Sequence, residues 1–218
     1  EMERRGLLAL VADGMGGMAD GKAASEWTVE QLLRLFWERE AGEAVPVWAY
    51  RSVHAVSDSV YQRFGGRSGS TLVMVHIQAG RLHWASVGDS AIFLRRGGGV
   101  FQLDREHTCL NRLYLQALAQ PVIDKTAAER DPEAPRLTSF IGIDRLTEVD
   151  LSLRPLLLQR GDALLLCSDG ISGILAPPEI GEAMALPPEE GCALLEQMVA
   201  EKGVIGQDNY TAILLSCE

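Results

Sequence analysis

TLVMVHIQAGRLHWASVGDSAIFLR, Thr71 to Arg95, holds three β-rich runs separated only by Ala79-Gly80 and Gly88-Asp89. Short apolar runs joined by glycine-containing turns predict an antiparallel meander over Thr71–Gln78, Arg81–Val87 and Ala91–Arg95. Gly97-Gly98-Gly99 then turns the chain into Val100 to Leu103. On the N-terminal side the period changes. Leu7 to Ala12 (LLALVA) reads as a buried strand that ends in a turn at Asp13-Gly14. From Ala23 to Trp37 the apolar Ala24, Trp27, Leu32, Leu35 and Phe36 recur at helical spacing, and a second helix is expected over Val47 to Phe64. Both would lie on a sheet through one face. Further along, Leu110 to Leu118 is a candidate helix, and the polar stretch Ile123 to Pro135 is expected to be an irregular, mobile excursion. Ala163 to Cys167 (ALLLC) reads as a buried strand, Pro187 to Glu201 as an amphipathic helix, and Tyr210 to Ser216 (YTAILLS) as a closing strand. Without repeats or an interdomain linker, this mixture indicates one α+β layered domain.

The 218 residues carry 20 basic and 30 acidic side chains, a net charge of −10. That balance argues against a nucleic-acid or anionic-membrane surface, because both need clustered Lys and Arg. Cys109, Cys167, Cys192 and Cys217 are scattered without CxxC spacing, so free thiols in a reducing compartment are expected rather than a zinc or redox motif. No apolar run approaches the ~20 residues that span a bilayer, and Glu1 to Arg5 lack a signal-peptide pattern. The cytoplasm is the expected location.

Four aspartates recur in one setting. Asp13 follows LLALVA, Asp89 follows LHWASVG, Asp169 follows LLLCS, and Asp208 precedes YTAILLS. Each would sit at the rim of a buried strand, and neighbouring strands would bring the carboxylates together. Converging carboxylates repel, and a cation resolves the repulsion. Oxygen donors without a His or Cys partner favour Mg²⁺ or Mn²⁺ over Zn²⁺. The glycines at Gly14, Gly16, Gly17, Gly88 and Gly170 leave little bulk around the acids, so backbone carbonyls and substrate can approach. Taken singly, an Asp-Gly pair is more often a turn. The ordered combination carries the signal.

The series VADGMGGMADGKAAS (Val11 to Ser25), GSTLV (Gly69 to Val73), VGDSAIFL (Val87 to Leu94), LTSFIG (Leu137 to Gly142), LLLCSDGISGIL (Leu164 to Leu175) and QDNYTAILL (Gln207 to Leu215) resembles the type 2C metal-dependent protein phosphatase family, bacterial members in particular. The resemblance runs over nearly the whole chain. It implies a four-layer α-β-β-α sandwich, two antiparallel sheets flanked by helices, with a dinuclear metal site at one end. It further implies Asp13 as the bridging ligand, the Gly14 carbonyl on the second metal, and Asp169 and Asp208 on the first. Asp89, with Asp169, would hold a weaker third ion. The implied cofactor is Mn²⁺ or Mg²⁺. The implied activity is hydrolysis of phosphoserine and phosphothreonine on proteins by a water that the two metals activate. Substrates of a Ser/Thr kinase are the expected partners, with no nucleic acid and no membrane, and the protein acts as a monomer. A catalytically weak relative that serves as a phospho-signal binding module is the alternative.

The sequence departs from the family pattern in places. The family's first strand carries an Arg for phosphate and an acid for the second metal, and the twelve residues before Asp13 show no such pattern. Either an N-terminal segment is missing or this is a shortened relative with a weakened second site; the persistence of all three core aspartates favours the first. Arg4 and Arg5 read as solvated charges at a strand start. Met15 stands where some members place a histidine as general acid. Segment 108–136 corresponds to the family's variable flap, which implies substrate contacts there. His107, in a Glu-His-Thr element like the family's Asp-His-Ser, reads as a histidine that holds the flap junction by hydrogen bonds. Trp27, Trp37, Trp48, Trp84 and Cys167 read as packing residues.

Overall fold

The computed structural model describes residues 5–16, 18–40 and 42–218, with side chains at all of them except 18 and 19. Arg4 and Gly17, singled out above, lie outside the described residues. The first hairpin forms as its turn demands. Strands β4 (Leu72–Gln78) and β5 (Arg81–Val87) pair antiparallel from Leu72↔Val87 to Gln78↔Arg81, leaving Ala79-Gly80 as a two-residue loop. β1 (Leu7–Val11) joins the other edge of β4, while β8 (Asp150–Leu151) and β9 (Leu156–Leu157) pair with β5.

The continuous meander is corrected at its third strand. β6 (Ala91–Arg96) leaves this sheet and pairs instead with β7 (Gly99–Gln102) and β10 (Ala163–Cys167), and β10 pairs with β11 (Ala212–Ser216). The reason lies in the turn between β5 and β6. Gly88 stands at φ +105°, a conformation open to glycine, and it breaks the strand so that the chain crosses to a second layer. A short ladder of β2 (Gly14–Met15) with β3 (Gly69–Ser70) completes the strands.

Strand alternation stacks three apolar cores into four layers. Val73 and Val75 of β4 join Ala9, Val11, Ile92, Leu94, Leu164 and Leu166 between the two sheets. The alternate residues Leu72 and Met74 face outward, where Leu32, Phe36, Trp48, Val53 and Val60 cover them. Those come from α1 (Met18–Glu38) and α2 (Val45–Phe64). On the far side, Ala91, Phe93, Leu165 and Cys167 pack under Ile180, Met184, Leu195 and Val199. Ile180 belongs to α6 (Pro177–Ala183), Met184 caps its C-terminus, and Leu195 and Val199 belong to α7 (Pro188–Lys202). β10 is buried along its whole length because both faces meet a core. Each large aliphatic side chain buried in these layers contributes about 1.5–3 kcal/mol. Trp48 is fully buried and donates its Nε1–H to the Leu35 carbonyl at 3.1 Å. Trp37, by contrast, is 53% exposed and lies under the Arg5 guanidinium.

The polar stretch after β7 contains more regular structure than its composition suggests. α3 (Cys109–Leu118) and α4 (Lys125–Glu129) form there, and Asp124 caps α4 by accepting from Ala127 N–H at 2.9 Å. The two ends of this excursion are tied together. Cys109 N–H donates to Arg136 O at 2.8 Å, Leu110 N–H to Ala134 O at 3.0 Å, and Thr138 N–H to His107 O at 2.8 Å. Among the described residues no helix is long and apolar enough to cross a membrane, and all four cysteines are free.

Candidate metal centre

Register places the four aspartates at one end of the sandwich. Val11 opposes Val73, Leu72 opposes Val87, Cys167 opposes Ala91 on one side and Ala212 on the other. Asp13 and Asp169 each lie two residues beyond one of these strand ends, as does Asp89, and Asp208 lies in the loop that enters β11. α5 (Asp169–Ser172) begins at Asp169 itself, so that aspartate opens a single helical turn.

Asp13 is the best-anchored of the four. Its N–H donates to Thr71 Oγ1 at 3.0 Å, and its carbonyl accepts from Thr71 N–H at 2.7 Å and from Ser70 Oγ at 2.9 Å. Thr71 Oγ1 in turn shares a 2.7 Å hydrogen bond with Ser90 Oγ, which ties the Asp13 segment of one sheet to the Asp89 turn that enters the other. The loops that carry Asp169 and Asp208 are tied to each other. Ser168 N–H donates to Thr211 O, and Thr211 N–H returns to Ser168 Oγ, both at 3.1 Å. Both Asp169 and Asp208 are exposed, and Asp208 Oδ1 accepts from Asn209 N–H at 2.8 Å.

The carboxylates act on one another through their charges. Burial, then the charges of Asp169 and Asp208, raise the Asp13 carboxyl to about 6. Burial, then the Asp169 charge, raises Asp89 to about 7. Among the described residues no three His, Cys, Asp or Glu side chains close into a formed metal cage.

The residues present fit hard divalent cations. All donors are oxygens, and the backbone around them is packed too closely for side chains. A Cβ on Gly14 would fall 2.0 Å from Gly21 O, and one on Gly170 would fall 2.6 Å from Asn209 O. Gly14 therefore presses the Asp13 loop onto α1, and Gly170 presses the Asp169 turn onto the Asp208 loop.

The protein phosphatase 2C family model matches residues 2–199. The chain belongs to that family. A putative protein phosphatase 2C-type protein of Streptococcus pyogenes is 30% identical over 180 residues, covering 79% of this chain and 70% of the relative. The serine/threonine phosphatase stp of Listeria innocua is 27% identical over 225 residues, covering 95% of this chain and 83% of its own. Among solved structures, the serine/threonine phosphatase of S. agalactiae superposes with a TM-score of 0.83 at 28% identity, covering 97% of this chain and 87% of that one. That structure shares the overall fold described above.

Two features of this phosphatase escaped the sequence reading. The Ser70–Thr71–Ser90 cluster behind Asp13 is one; its residues stand inside GSTLV and VGDSAIFL, but nothing in their spacing says that Ser70 and Thr71 bond to Asp13 and Ser90 to Thr71. Asp104 is the other. It follows an apolar strand as the other aspartates do, yet it is only 8% exposed and points inward. Its Oδ1 accepts from Ile92 N–H at 2.8 Å. Ser86 lies beside it, although neither Asp104 Oδ2 nor Ser86 Oγ closes a hydrogen bond of good geometry. Burial raises Asp104 from 3.8 to about 7.

Proposed function

We propose that Asp13, the Gly14 carbonyl, Asp169 and Asp208 hold two divalent cations, Mn²⁺ or Mg²⁺, and that Asp89 with Asp169 holds a weaker third. The observation that carries this reading is the strand register, which sets Asp13, Asp89 and Asp169 just beyond aligned strand ends and Asp208 in the loop that enters β11; the charges of Asp169 and Asp208 acting on Asp13 agree with it. As a protein phosphatase 2C, the chain hydrolyses phosphoserine and phosphothreonine on proteins in a metal-dependent reaction. Bound cations would activate the attacking water and offset charge on the phosphoryl oxygens.

The chain's own contribution is placement. The three hydrogen bonds to the Asp13 backbone fix the turn that presents its carboxylate at the end of the sandwich, where a 1 Å error would cost on the order of 10²-fold in rate. The paired loops 168–170 and 208–211 present two further carboxylates on an exposed rim, where a protein-borne phosphate can reach them. Segment 108–136, clamped at its base near His107, would contact the substrate. Met15 brings no proton donor to the site, so the leaving oxygen takes its proton from water. The phosphatase acts as a monomer in the cytoplasm and opposes a Ser/Thr kinase. The acidic balance and the free cysteines suit that setting.

The test is an assay on a phosphothreonine peptide while the metal is varied. Turnover should vanish in EDTA and return with Mn²⁺ or Mg²⁺. Turnover that persists in EDTA would contradict the two-metal reading.

A further inference from the structure

The turn that carries Asp89 is held from outside by one ring nitrogen. Gly88 N–H donates to His107 Nδ1 at 3.1 Å, and Gly88 O accepts from His107 N–H at 2.7 Å. Both backbone groups of Gly88 therefore end on His107. The ring is buried, and burial lowers its pKa, which suits a neutral imidazole with its proton on Nε2 and Nδ1 free to accept. His107 O also accepts from Thr138 N–H at 2.8 Å, so the same residue fastens the closing end of segment 108–136.

Gly88 needs such a pin. At φ +105° it has no side chain to lock its conformation, and a Cβ there would meet Thr71 at 2.9 Å. The permissive backbone that lets the chain cross between sheets also lets the turn drift if its N–H loses its acceptor. The residue that would drift with it is Asp89.

We propose that His107 is a positioning residue for Asp89: its Nδ1 fixes the Gly88–Asp89 turn in the shape that presents the Asp89 carboxylate beside Asp169 for a divalent cation. This rests on the reading of Asp89 as a metal-holding residue. His107 touches neither metal nor substrate and acts through the Gly88 amide. Groups that orient a metal ligand from behind change metal affinity by about 10–100-fold when removed.

The variants that separate this role from simple packing are His107→Asn and His107→Gln. Asparagine places its Oδ1 where Nδ1 stands, whereas glutamine carries its acceptor one methylene too far. Amide hydrogen exchange at Gly88 is followed in the metal-free protein, and Mn²⁺ titration by calorimetry is run on wild type, both variants and Asp89→Asn. Wild type and His107→Asn should protect the Gly88 amide and share the weakest Mn²⁺ event. His107→Gln should lose the protection and weaken that event by about 10–100-fold. Equal Gly88 protection and equal Mn²⁺ affinity in wild type and His107→Gln would overturn the proposal, and so would asparagine failing as badly as glutamine. If Asp89→Asn leaves the titration unchanged, Asp89 is not a ligand and the metal half of the proposal falls, while Gly88 exchange still decides whether Nδ1 holds the turn. His107→Leu, which removes the acceptor but keeps an apolar filling, should behave like glutamine.

Discussion

Replacing Asp13 by asparagine is expected to lower turnover of a phosphothreonine peptide by about a thousand-fold or more. A two-metal site supplies several kcal/mol of transition-state stabilisation, and each 1.36 kcal/mol is about tenfold in rate. The charges of both Asp169 and Asp208 act on Asp13, and in the proposed site its loss would remove the group shared between two cations rather than one ligand among several. Asparagine keeps the shape, and the three hydrogen bonds to Asp13 run through its backbone, so the fold should persist. In EDTA near pH 8 the variant should melt slightly above wild type, because one buried charge and its repulsion are gone. Calorimetric titration should find fewer Mn²⁺ ions bound. Unchanged stoichiometry would contradict the shared role.

The second large effect concerns stability, at a residue outside the metal site. The Asp104 carboxyl is raised from 3.8 to about 7 by burial, a rise of about three pKa units, or on the order of 4 kcal/mol. The sign follows from linkage. Between pH 4 and pH 7 the folded state holds a proton that the unfolded chain gives up, so the stability that this proton supplies is full at low pH and is lost as pH rises through 7. Asparagine mimics the protonated carboxyl without being able to ionise. It keeps an acceptor for Ile92 N–H and brings an N–H toward Ser86 Oγ. Asp104→Asn should therefore match wild type near pH 4 and exceed it at pH 8 by about 2–4 kcal/mol. At about 2–4 °C per kcal/mol for a domain of this size, the gain is roughly 5–15 °C in Tm. Asp13 and Asp89 titrate in the same range, but their contribution cancels when variant and wild type are compared in EDTA. A variant that melts below wild type at pH 8 would show that the charged carboxylate is the stabilising form.

The legible parts of the fold were those where local pattern and burial agree. Arg81–Val87 and Ala163–Cys167 form strands with the bounds that their apolar runs suggest, and the helix ending at Phe64 stops where Gly65 supplies a left-handed cap. The β6 strand was legible as a strand but not as a member of the second sheet. Turn chemistry at Gly88-Asp89 fits a hairpin as well as a crossover, and only the pairing of Ala91 with Cys167, distant in sequence, decides between them. The short β8 and β9 were invisible because two-residue strands owe their shape to the β5 edge, not to their own sequence. In the site, the aspartates could be named because each follows or precedes a buried strand. Asp104 obeys the same local rule and was missed, since whether a carboxylate turns outward to the rim or inward under Ile92 depends on packing between two sheets. The anchoring of Asp13 by Ser70 and Thr71 was hidden for the same reason.

The most direct test of the metal centre is a pair of melting curves, with and without Mn²⁺, on wild type and Asp208→Ala. A cation that binds only the folded state stabilises it by about 2.7 kcal/mol at a hundred-fold excess over its dissociation constant, or roughly 5–10 °C at this chain length. Wild type should show that rise. Asp208→Ala should show a smaller one while melting slightly higher than wild type in EDTA, because the carboxylate that repels Asp13 is gone. A wild-type melting temperature that does not move with Mn²⁺ would contradict the claim that these aspartates form a metal centre.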